Sequence, residues 1–275
     1  MSNEVNIARY HSREHHVILA RGIFTPLFDD YFAHSRRWVG DPDGLIAVMM
    51  RQGLAAAGLY LTCRPRDEET AWTLNLPEPP LNLFFAADAS RGRVVGRYFD
   101  RHVRSEAHSR LFVQAVRCFA EPYQSVIEVT GFDVLEMLER FCAQSEQSSA
   151  RFYEYEGDEF LMLMALPGID ESWLRKLKEH EARELLTAPA TNLIENRPVV
   201  FGCACGEERL MNLAVSIFAD QPAELFGEDE RAEILCPRCG RAYPIDRQAF
   251  GRAITERGAD PLQRADPPQR ADPPQ

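Results

Sequence analysis

The feature that most constrains this chain is a set of four cysteines arranged as two close pairs. Cys203 and Cys205 are separated by one residue, and thirty residues later Cys236 and Cys239 are separated by two. The thiolate form of cysteine binds metal, and two short pairs at this spacing are typical of one tetrahedral zinc site built from two turns. The sequence therefore predicts one zinc ion held by these four residues, with the other three of its seven cysteines uninvolved.

The residues around the second pair favour a tight turn. Pro237 is stiff inside the turn, and Gly240 can adopt backbone conformations that other residues avoid. Such a turn lets backbone N–H groups face the sulfur atoms. A site of this kind is most often a structural zinc ribbon, although the Cys-x-Cys form of the first pair is uncommon in that class.

Composition places the chain among globular proteins. Its 275 residues, 45% of them hydrophobic, suffice for one large and one small domain. The net charge of −11 disfavours a nucleic-acid partner, and residues 200–257 carry ten acidic residues against seven arginines. The polar first sixteen residues lack the apolar core of a secretion signal, so we expect a cytoplasmic protein with reduced thiols.

Two further classes are disfavoured. The apolar stretch 44–63 is long enough to raise a membrane hypothesis, but Arg51 lies near its centre, and a central arginine costs about 2.5–3.5 kcal/mol on insertion scales. We therefore expect a buried helix and no membrane partner. The chain shows no glycine-rich phosphate loop and no Gly-x-Ser-x-Gly motif, so we expect a protein that is not an enzyme.

Hydrophobic periodicity predicts an α+β protein with a core of mixed sheet and helix. We expect strands over residues 17–28, 71–76, 81–86, 93–98, 111–120, 125–130, 152–156 and 159–166. Helices are expected over 44–62, 132–147 and 170–186, the last capped by Asp170. Residues 187–198 contain two prolines and little periodicity, which indicates a linker.

The cysteine-rich segment has a small apolar core of its own. A helical face is formed by Leu210, Leu213, Ala214, Ile217 and Phe218, and a final helix begins after Asp246 and carries Phe250 and Ile254. So few apolar residues give a marginal domain, whereas structural zinc supplies roughly 10–16 kcal/mol of apparent binding free energy. The metal is therefore expected to hold this segment folded.

These patterns divide the chain into four parts. We predict a core domain over residues 1–168, a linker with a helix over 169–199, a zinc domain over 200–257 and a disordered tail over 258–275. The tail repeats a six-residue unit rich in proline and charge, which cannot build a core. Cys63, Cys118 and Cys142 lie in apolar stretches and are expected to be inert buried thiols.

Oxidation chemistry adds a functional hypothesis to this organisation. Oxidants consume the same thiolates that hold the metal, and the partners within each pair are near enough in sequence to cross-link locally. Oxidation is then expected to eject the zinc and unfold the small domain. The four cysteines can therefore work as a switch.

The same residues resemble the redox-switch domain of the 33-kilodalton heat-shock chaperone family. The resemblance includes the two cysteine pairs, Tyr243 after the second pair and Glu208-Arg209 after the first. Three other elements follow in the family's order: Arg21-Gly22, Gln144-Ser145-Glu146-Gln147 with Arg151, and Glu184-Leu185-Leu186-Thr187 with Pro189-Ala190.

This resemblance implies an ATP-independent holdase that is inactive while four thiolates bind zinc. Peroxide or hypochlorite would form Cys203–Cys205 and Cys236–Cys239 disulfides, release the zinc and free the linker. Apolar surface on the core and linker would then bind unfolded client proteins, and the active form would be a homodimer. Two features depart from the family: Pro77–Pro80 replaces a glycine-rich turn, and the interval from Ala190 to Cys203 is short.

An alternative interpretation from another functional class stays open. In it the chain is a non-enzymatic interaction protein, and its zinc module is purely structural. The short linker bears on this choice, because it leaves less structure to lose and less apolar surface to expose.

Overall fold

The computed structural model describes residues 3–101, 103 and 107–259, which fall into two compact units. The larger unit comprises the residues up to Cys203 together with Arg238–Gly240, and the smaller comprises Ala204–Pro237 and the residues from Arg241 onward. The predicted α+β class is confirmed. The boundaries at 168, 199 and 257 stay predictions, and the tail lies outside the described residues beyond Ala259.

The larger unit is built on a sheet of ten strands within the described residues. They are β1 (Val5–Ser12), β2 (Val17–Ile23), β3 (Glu68–Leu76), β4 (Leu81–Asp88), β5 (Arg93–Phe99), β6 (Arg110–Arg117), β7 (Tyr123–Glu128), β8 (Ala150–Tyr155), β9 (Glu159–Ala165) and β10 (Thr191–Phe201). Their order is β7-β6-β3-β4-β5-β10-β1-β2-β9-β8. The predicted meander is confirmed by the antiparallel pairs β3–β4 and β4–β5. The predicted hairpins are confirmed by the antiparallel pairs β6–β7 and β8–β9, and β6 also pairs with β3.

Strand β10 corrects the expectation of an irregular linker over 187–198. It pairs antiparallel with β1 along most of its length and parallel with β5 at its end, so it joins the two halves of the sheet. Five of its eleven residues are exposed and two are buried, Val199 and Arg197. That guanidinium donates to the carbonyl oxygens of Leu61, Thr62 and Ala89. A buried arginine hides the hydrophobic alternation by which a strand is recognised in a sequence.

Three longer helices accompany the sheet in the described part of this unit: α1 (Thr25–Trp38), α2 (Gly44–Cys63) and α3 (Val134–Gln144). The predicted helices over 44–62 and 132–147 are confirmed. Helix α1 was not predicted, and the strand expected over 17–28 is wrong beyond Ile23, where Pro26 lies in the first turn of α1. Buried Leu27, Phe28 and Tyr31 carried the helical spacing that could have revealed it.

Helix α2 is the centre of the main core, as expected from its apolar circumference. It is buried almost continuously from Met49 to Thr62 and packs against side chains from β1, β4, β5 and β9. By length and composition alone α2 could cross a membrane, but 67% of its most apolar window is buried within the protein. A core helix passes the same test of length and composition, so this is weak evidence for a span.

The helix expected over 170–186 is wrong as one continuous element. Asp170 caps it as predicted, accepting hydrogen bonds from the backbone N–H groups of Ser172 and Trp173 at 2.9 and 3.2 Å. The chain then forms two short helices, α4 (Glu171–Lys176) and α5 (Glu179–Glu184), and a 3₁₀ turn at Leu185–Thr187. The break falls at Leu177, whose backbone is not helical (ψ 123°) and whose side chain is buried in an apolar cluster separate from the main core.

The smaller unit has helices α6 (Glu207–Phe218), α7 (Pro222–Phe226) and α8 (Arg247–Ala259) and the paired strands β11 (Arg231–Leu235) and β12 (Ala242–Asp246) among its described residues. Asp246 caps α8 as predicted, accepting from the N–H groups of Gln248 and Ala249 at 3.0 Å. The core consists of Ala214, Val215, Phe226, Ile245 and Phe250. The expectation of a buried Ile217 is wrong, because its side chain is 61% exposed.

Candidate metal centre

The four predicted ligand cysteines lie together. The sulfur atoms of Cys203, Cys205, Cys236 and Cys239 are all within 4.8 Å of one another. In a tetrahedral zinc site with Zn–S bonds of about 2.3 Å, neighbouring sulfur atoms are about 3.8 Å apart. Slight closure of the cluster is therefore enough for one ion. The second pair is buried and the first is half-buried, which suits a site shielded from water.

The second pair lies in the tight turn that the sequence predicted. The N–H of Cys236 donates to the carbonyl oxygen of Arg241 at 2.8 Å, which closes the turn around Pro237. Gly240 has a φ of +79°, in the region that favours glycine. A Cβ atom at this position would also lie only 2.6 Å from Cγ2 of Val39, so glycine meets a steric requirement as well.

Two residues of this turn, Arg238 and Cys239, belong to the larger unit and are held there by side chains distant in sequence. Arg238 forms an ion pair with Glu69 on β3. Nε2 of His34, on α1, lies 2.8 Å from the carbonyl oxygen of Cys239 and donates its proton, because a carbonyl oxygen can only accept. Sequence reasoning missed both partners, since neither Glu69 nor His34 has a local feature that connects it to the cysteines.

A phenol contacts one of the candidate ligands. Oη of Tyr243, on β12, lies 3.1 Å from Sγ of Cys205, and the side chain is 8% exposed. Burial, followed by the hydrogen bond to Cys205, raises the pKa of Tyr243 to about 12. The side chain of Arg241 also interacts with this phenol. Tyr243 was expected only as part of a family pattern, and its contact with Cys205 depends on the folded geometry.

The remaining cysteines separate into two kinds. Cys142 is buried and Cys63 is half-buried; burial raises the pKa of both thiols, that of Cys63 to about 11. Both fit the expectation of inert thiols. The expectation is wrong for Cys118, which is exposed just beyond the end of β6.

The other elements of the family pattern form structural ion pairs. Arg21 pairs with the buried carboxylate of Glu159 on β9. Glu146 accepts from Arg64 at 2.7 Å. The guanidinium of Arg151 contacts Glu139 at 3.1 Å. These residues fix the sheet and α3 and lie apart from the cysteine cluster in sequence.

Helices α4 and α5 cover a second apolar cluster on the larger unit. Leu174, Leu177, Ala182 and Leu185 are buried against side chains of β2, β8 and β9, which include Val17, Leu19, Tyr153, Leu161 and Leu163. The hydroxyl of Tyr155 donates to the carbonyl oxygen of Glu179 at 2.7 Å. The two short helices therefore cover apolar sheet surface that would otherwise face water.

Comparison with known proteins identifies relatives. A family model described as Hsp33 protein matches residues 157–246. The 33 kDa chaperonin of Serratia proteamaculans is 26% identical over 151 residues, which cover 46% of this chain and 52% of that protein. The 33 kDa chaperonin of Desulforamulus reducens is 23% identical over 239 residues, covering 72% of this chain and 81% of that protein.

The matches cover different shares of the related proteins. For the Serratia protein and the 33 kDa chaperonin of Nitrosococcus oceani, the chain spans about half the length of the relative, 52% and 56%. The crystal structure of the 33 kDa chaperonin (heat shock protein 33 homolog) from Thermotoga maritima matches with a TM-score of 0.69 at 13% identity. That match covers 93% of this chain and 99% of the other, and it establishes the common fold.

Proposed function

We propose, on the premise that this chain is a relative of the 33 kDa chaperonins, that it is a redox-regulated, ATP-independent holdase that binds unfolding proteins under oxidative stress. It acts in the cytoplasm, without enzymatic activity, on unfolded client proteins. The observation that carries the proposal is the cluster of four cysteine sulfur atoms within 4.8 Å of one another. Such a cluster suits both metal binding and oxidation.

In the reduced state Cys203, Cys205, Cys236 and Cys239 hold one zinc ion, which closes the turns around both pairs. A bound structural zinc contributes on the order of 10 kcal/mol to folding. The smaller unit has a buried core of only a few side chains, so its folding depends on these four thiolates. We assign residues 200–257 as the switch domain on this basis.

Oxidation removes the ligands. One hydrogen peroxide molecule takes two electrons from two thiolates; an S–S bond forms, the O–O bond breaks, and two protons complete two water molecules. The proposed products are the Cys203–Cys205 and Cys236–Cys239 disulfides. Disulfide sulfur is a poor metal ligand, and cross-links that close such short loops stabilise little. The small domain therefore unfolds after both pairs are oxidised.

Unfolding of the switch then loosens the segment before it, residues 169–199. Release of α4 and α5 would expose the apolar cluster that contains Leu19 and Leu163. This surface and the released helices provide client-binding area of the kind that unfolded proteins recognise. Two activated chains would associate as a homodimer through part of the same surface.

One observation favours the alternative in which the zinc module is structural. Residues 191–199 lie within strand β10 and pair along their length with β1, and β10 is then anchored to β5 at Val200 and Phe201. A segment that forms part of a sheet is harder to release than a flexible linker. In this alternative the protein keeps its metal under mild oxidation and serves assembly with a partner.

The test compares the reduced, zinc-loaded protein with the same protein treated with peroxide under mildly unfolding conditions. Zinc release is followed with a colorimetric chelator, unfolding of residues 200–257 by hydrogen exchange, and chaperone activity by light scattering of an unrelated aggregating protein without ATP. We expect zinc loss, faster exchange and suppression of aggregation to occur together.

Two results would contradict the proposal in different ways. If zinc stays bound at peroxide levels that oxidise exposed thiols, the structural alternative is supported. If zinc leaves and the small domain unfolds while aggregation is unchanged, the switch chemistry holds and the chaperone assignment fails. A Cys118→Ser variant is the matched control for oxidation of the exposed cysteine.

A further inference from the structure

The hydroxyl group of Tyr243 contacts the sulfur atom of Cys205, one of the four candidate metal ligands. Tyr243 is opposite Ile234 in the β11–β12 pair, so the strand register fixes its ring. The side chain is 8% exposed and its hydroxyl oxygen lies 3.1 Å from Sγ of Cys205. This distance is typical of a short hydrogen bond to sulfur.

The direction of this hydrogen bond follows from the chemistry of the two groups. A metal-binding cysteine is a thiolate, which has no proton and can only accept. A phenol has one proton to donate, and its ordinary pKa of about 10 keeps that proton at neutral pH. Tyr243 is therefore the donor whenever Cys205 binds metal.

We infer that Tyr243 is a positioning residue that controls how tightly the four-cysteine site holds its metal and how readily an oxidant attacks Cys205. The inference rests on the proposed metal site and deepens it. The donated hydrogen bond stabilises negative charge on Sγ of Cys205 and fixes the position of the sulfur relative to its three neighbours. Removal of a residue that hydrogen-bonds to a metal ligand typically lowers metal affinity 10–100-fold.

The same hydrogen bond slows oxidation. Peroxide reacts by attack of a thiolate lone pair on oxygen, which breaks the O–O bond; a second thiolate then completes the S–S bond, and two protons from solvent convert the two oxygen atoms to water. A phenol proton shared with Sγ reduces the electron density available for the first attack. Tyr243 thus sets the oxidant concentration at which the switch responds.

The experiment uses the full chain with Tyr243→Phe, which removes one oxygen atom and keeps the ring. Zinc affinity is measured by competition with a chelator, and zinc release by peroxide is followed in time. We expect affinity to fall about 10-fold or more and release to be faster. Tyr155→Phe is the matched control, since it removes a phenol hydrogen bond to a backbone carbonyl distant in sequence from the cysteines. It should change neither the zinc affinity nor the rate of zinc release.

A double-mutant cycle separates this role from general support of the fold. In a Cys205→Ala background, Tyr243→Phe should have little further effect on residual zinc affinity, because the sulfur that the phenol contacts is gone. Equal losses in both backgrounds would overturn the inference and assign Tyr243 to packing. Cobalt(II)-loaded protein gives a second readout, because the thiolate-to-cobalt absorption band should shift in Tyr243→Phe and stay unchanged in Tyr155→Phe.

The possible failures are distinguishable. If the unaltered protein binds no zinc, the proposed metal site fails. If it binds zinc and Tyr243→Phe matches it in affinity, release rate and cobalt spectrum, the metal site stands and the role of Tyr243 is excluded. If Tyr243→Phe does not fold, Arg241→Met is the substitute variant, because Arg241 interacts with the same phenol. Its cobalt spectrum and its rate of zinc release are then measured. Values identical to those of the unaltered protein overturn the inference.

Discussion

The hydroxyl of Tyr153 donates a hydrogen bond to the carbonyl oxygen of Leu177 at 2.8 Å, both within the larger unit. The contact holds the chain where α4 ends and α5 begins, at the residue whose side chain enters the second apolar cluster. A helix break is usually a weak point, because its carbonyl groups lose their helical partners. Here a side chain from β8 satisfies one of them, so the break is also an attachment point.

Weakening this attachment should mimic activation. Leu177→Ala removes a side chain that is 6% exposed and should destabilise the docking of α4 and α5 by about 2–3 kcal/mol. We expect the reduced, zinc-loaded variant to suppress aggregation partially without oxidant and to show faster hydrogen exchange over residues 171–187. Leu193→Ala is the control, because Leu193 is 53% exposed on β10. Identical suppression by both variants would contradict the assignment of this surface.

The four ligand assignments predict a specific pattern of zinc loss. Cys→Ser at position 203, 205, 236 or 239 should each remove most of the bound zinc, since a tetrahedral structural site needs four protein ligands. Cys142→Ser should retain one zinc per chain. Elemental analysis of the purified variants measures this directly. Undiminished zinc in Cys205→Ser or Cys239→Ser would show that the ligand set is wrong.

A buried carboxylate predicts the acid sensitivity of the larger unit. Burial alone would raise the pKa of Glu68, but hydrogen bonds from Arg64 and Arg117 outweigh it and the pKa is lowered. A lowered folded pKa stabilises the protein at pH values above the unfolded pKa of about 4.3, and this stability is lost as pH falls through the folded value.

Glu68→Gln should therefore cost about 3 kcal/mol of unfolding free energy at neutral pH, because two guanidinium groups lose a buried partner. The cost should shrink as pH falls below about 4.3, where the carboxylate takes up a proton first in the unfolded chain and, at still lower pH, in the native protein. Denaturant unfolding followed at several pH values measures both effects. Glu128→Gln, on the exposed side of β7, should be neutral throughout. A constant difference between Glu68→Gln and the unaltered protein across this pH range would refute the linkage.

The repeat-containing tail should be dispensable for folding. A segment rich in proline and charge contributes no core side chains, so removal of residues 258–275 should leave zinc content and melting temperature unchanged. Thermal unfolding with and without the tail tests this. A large decrease in melting temperature after truncation at Arg257 would reveal a structural role that the composition does not indicate.

The sequence by itself determined the features that depend on near neighbours. The apolar circumference of residues 44–63 defined the central helix, alternation defined the meander β3 to β5, and the two cysteine pairs with Gly240 defined two turns able to bind one metal. In each case the relevant contacts lie within a few residues of one another, or follow from the period of one element. Local backbone preference and side-chain spacing are enough to specify them.

Only the tertiary structure decided how distant segments meet. Strand β10 pairs with strands that lie about 100 and 190 residues earlier, and its buried Arg197 obscures the alternation. The helix expected to continue through Leu177 breaks there because burial of its side chain and the Tyr153 hydroxyl compensate the lost helical bonds. The phenol at Cys205 and the imidazole at the Cys239 carbonyl likewise depend on strand register and packing. Such contacts are non-local, and no window of sequence contains both partners.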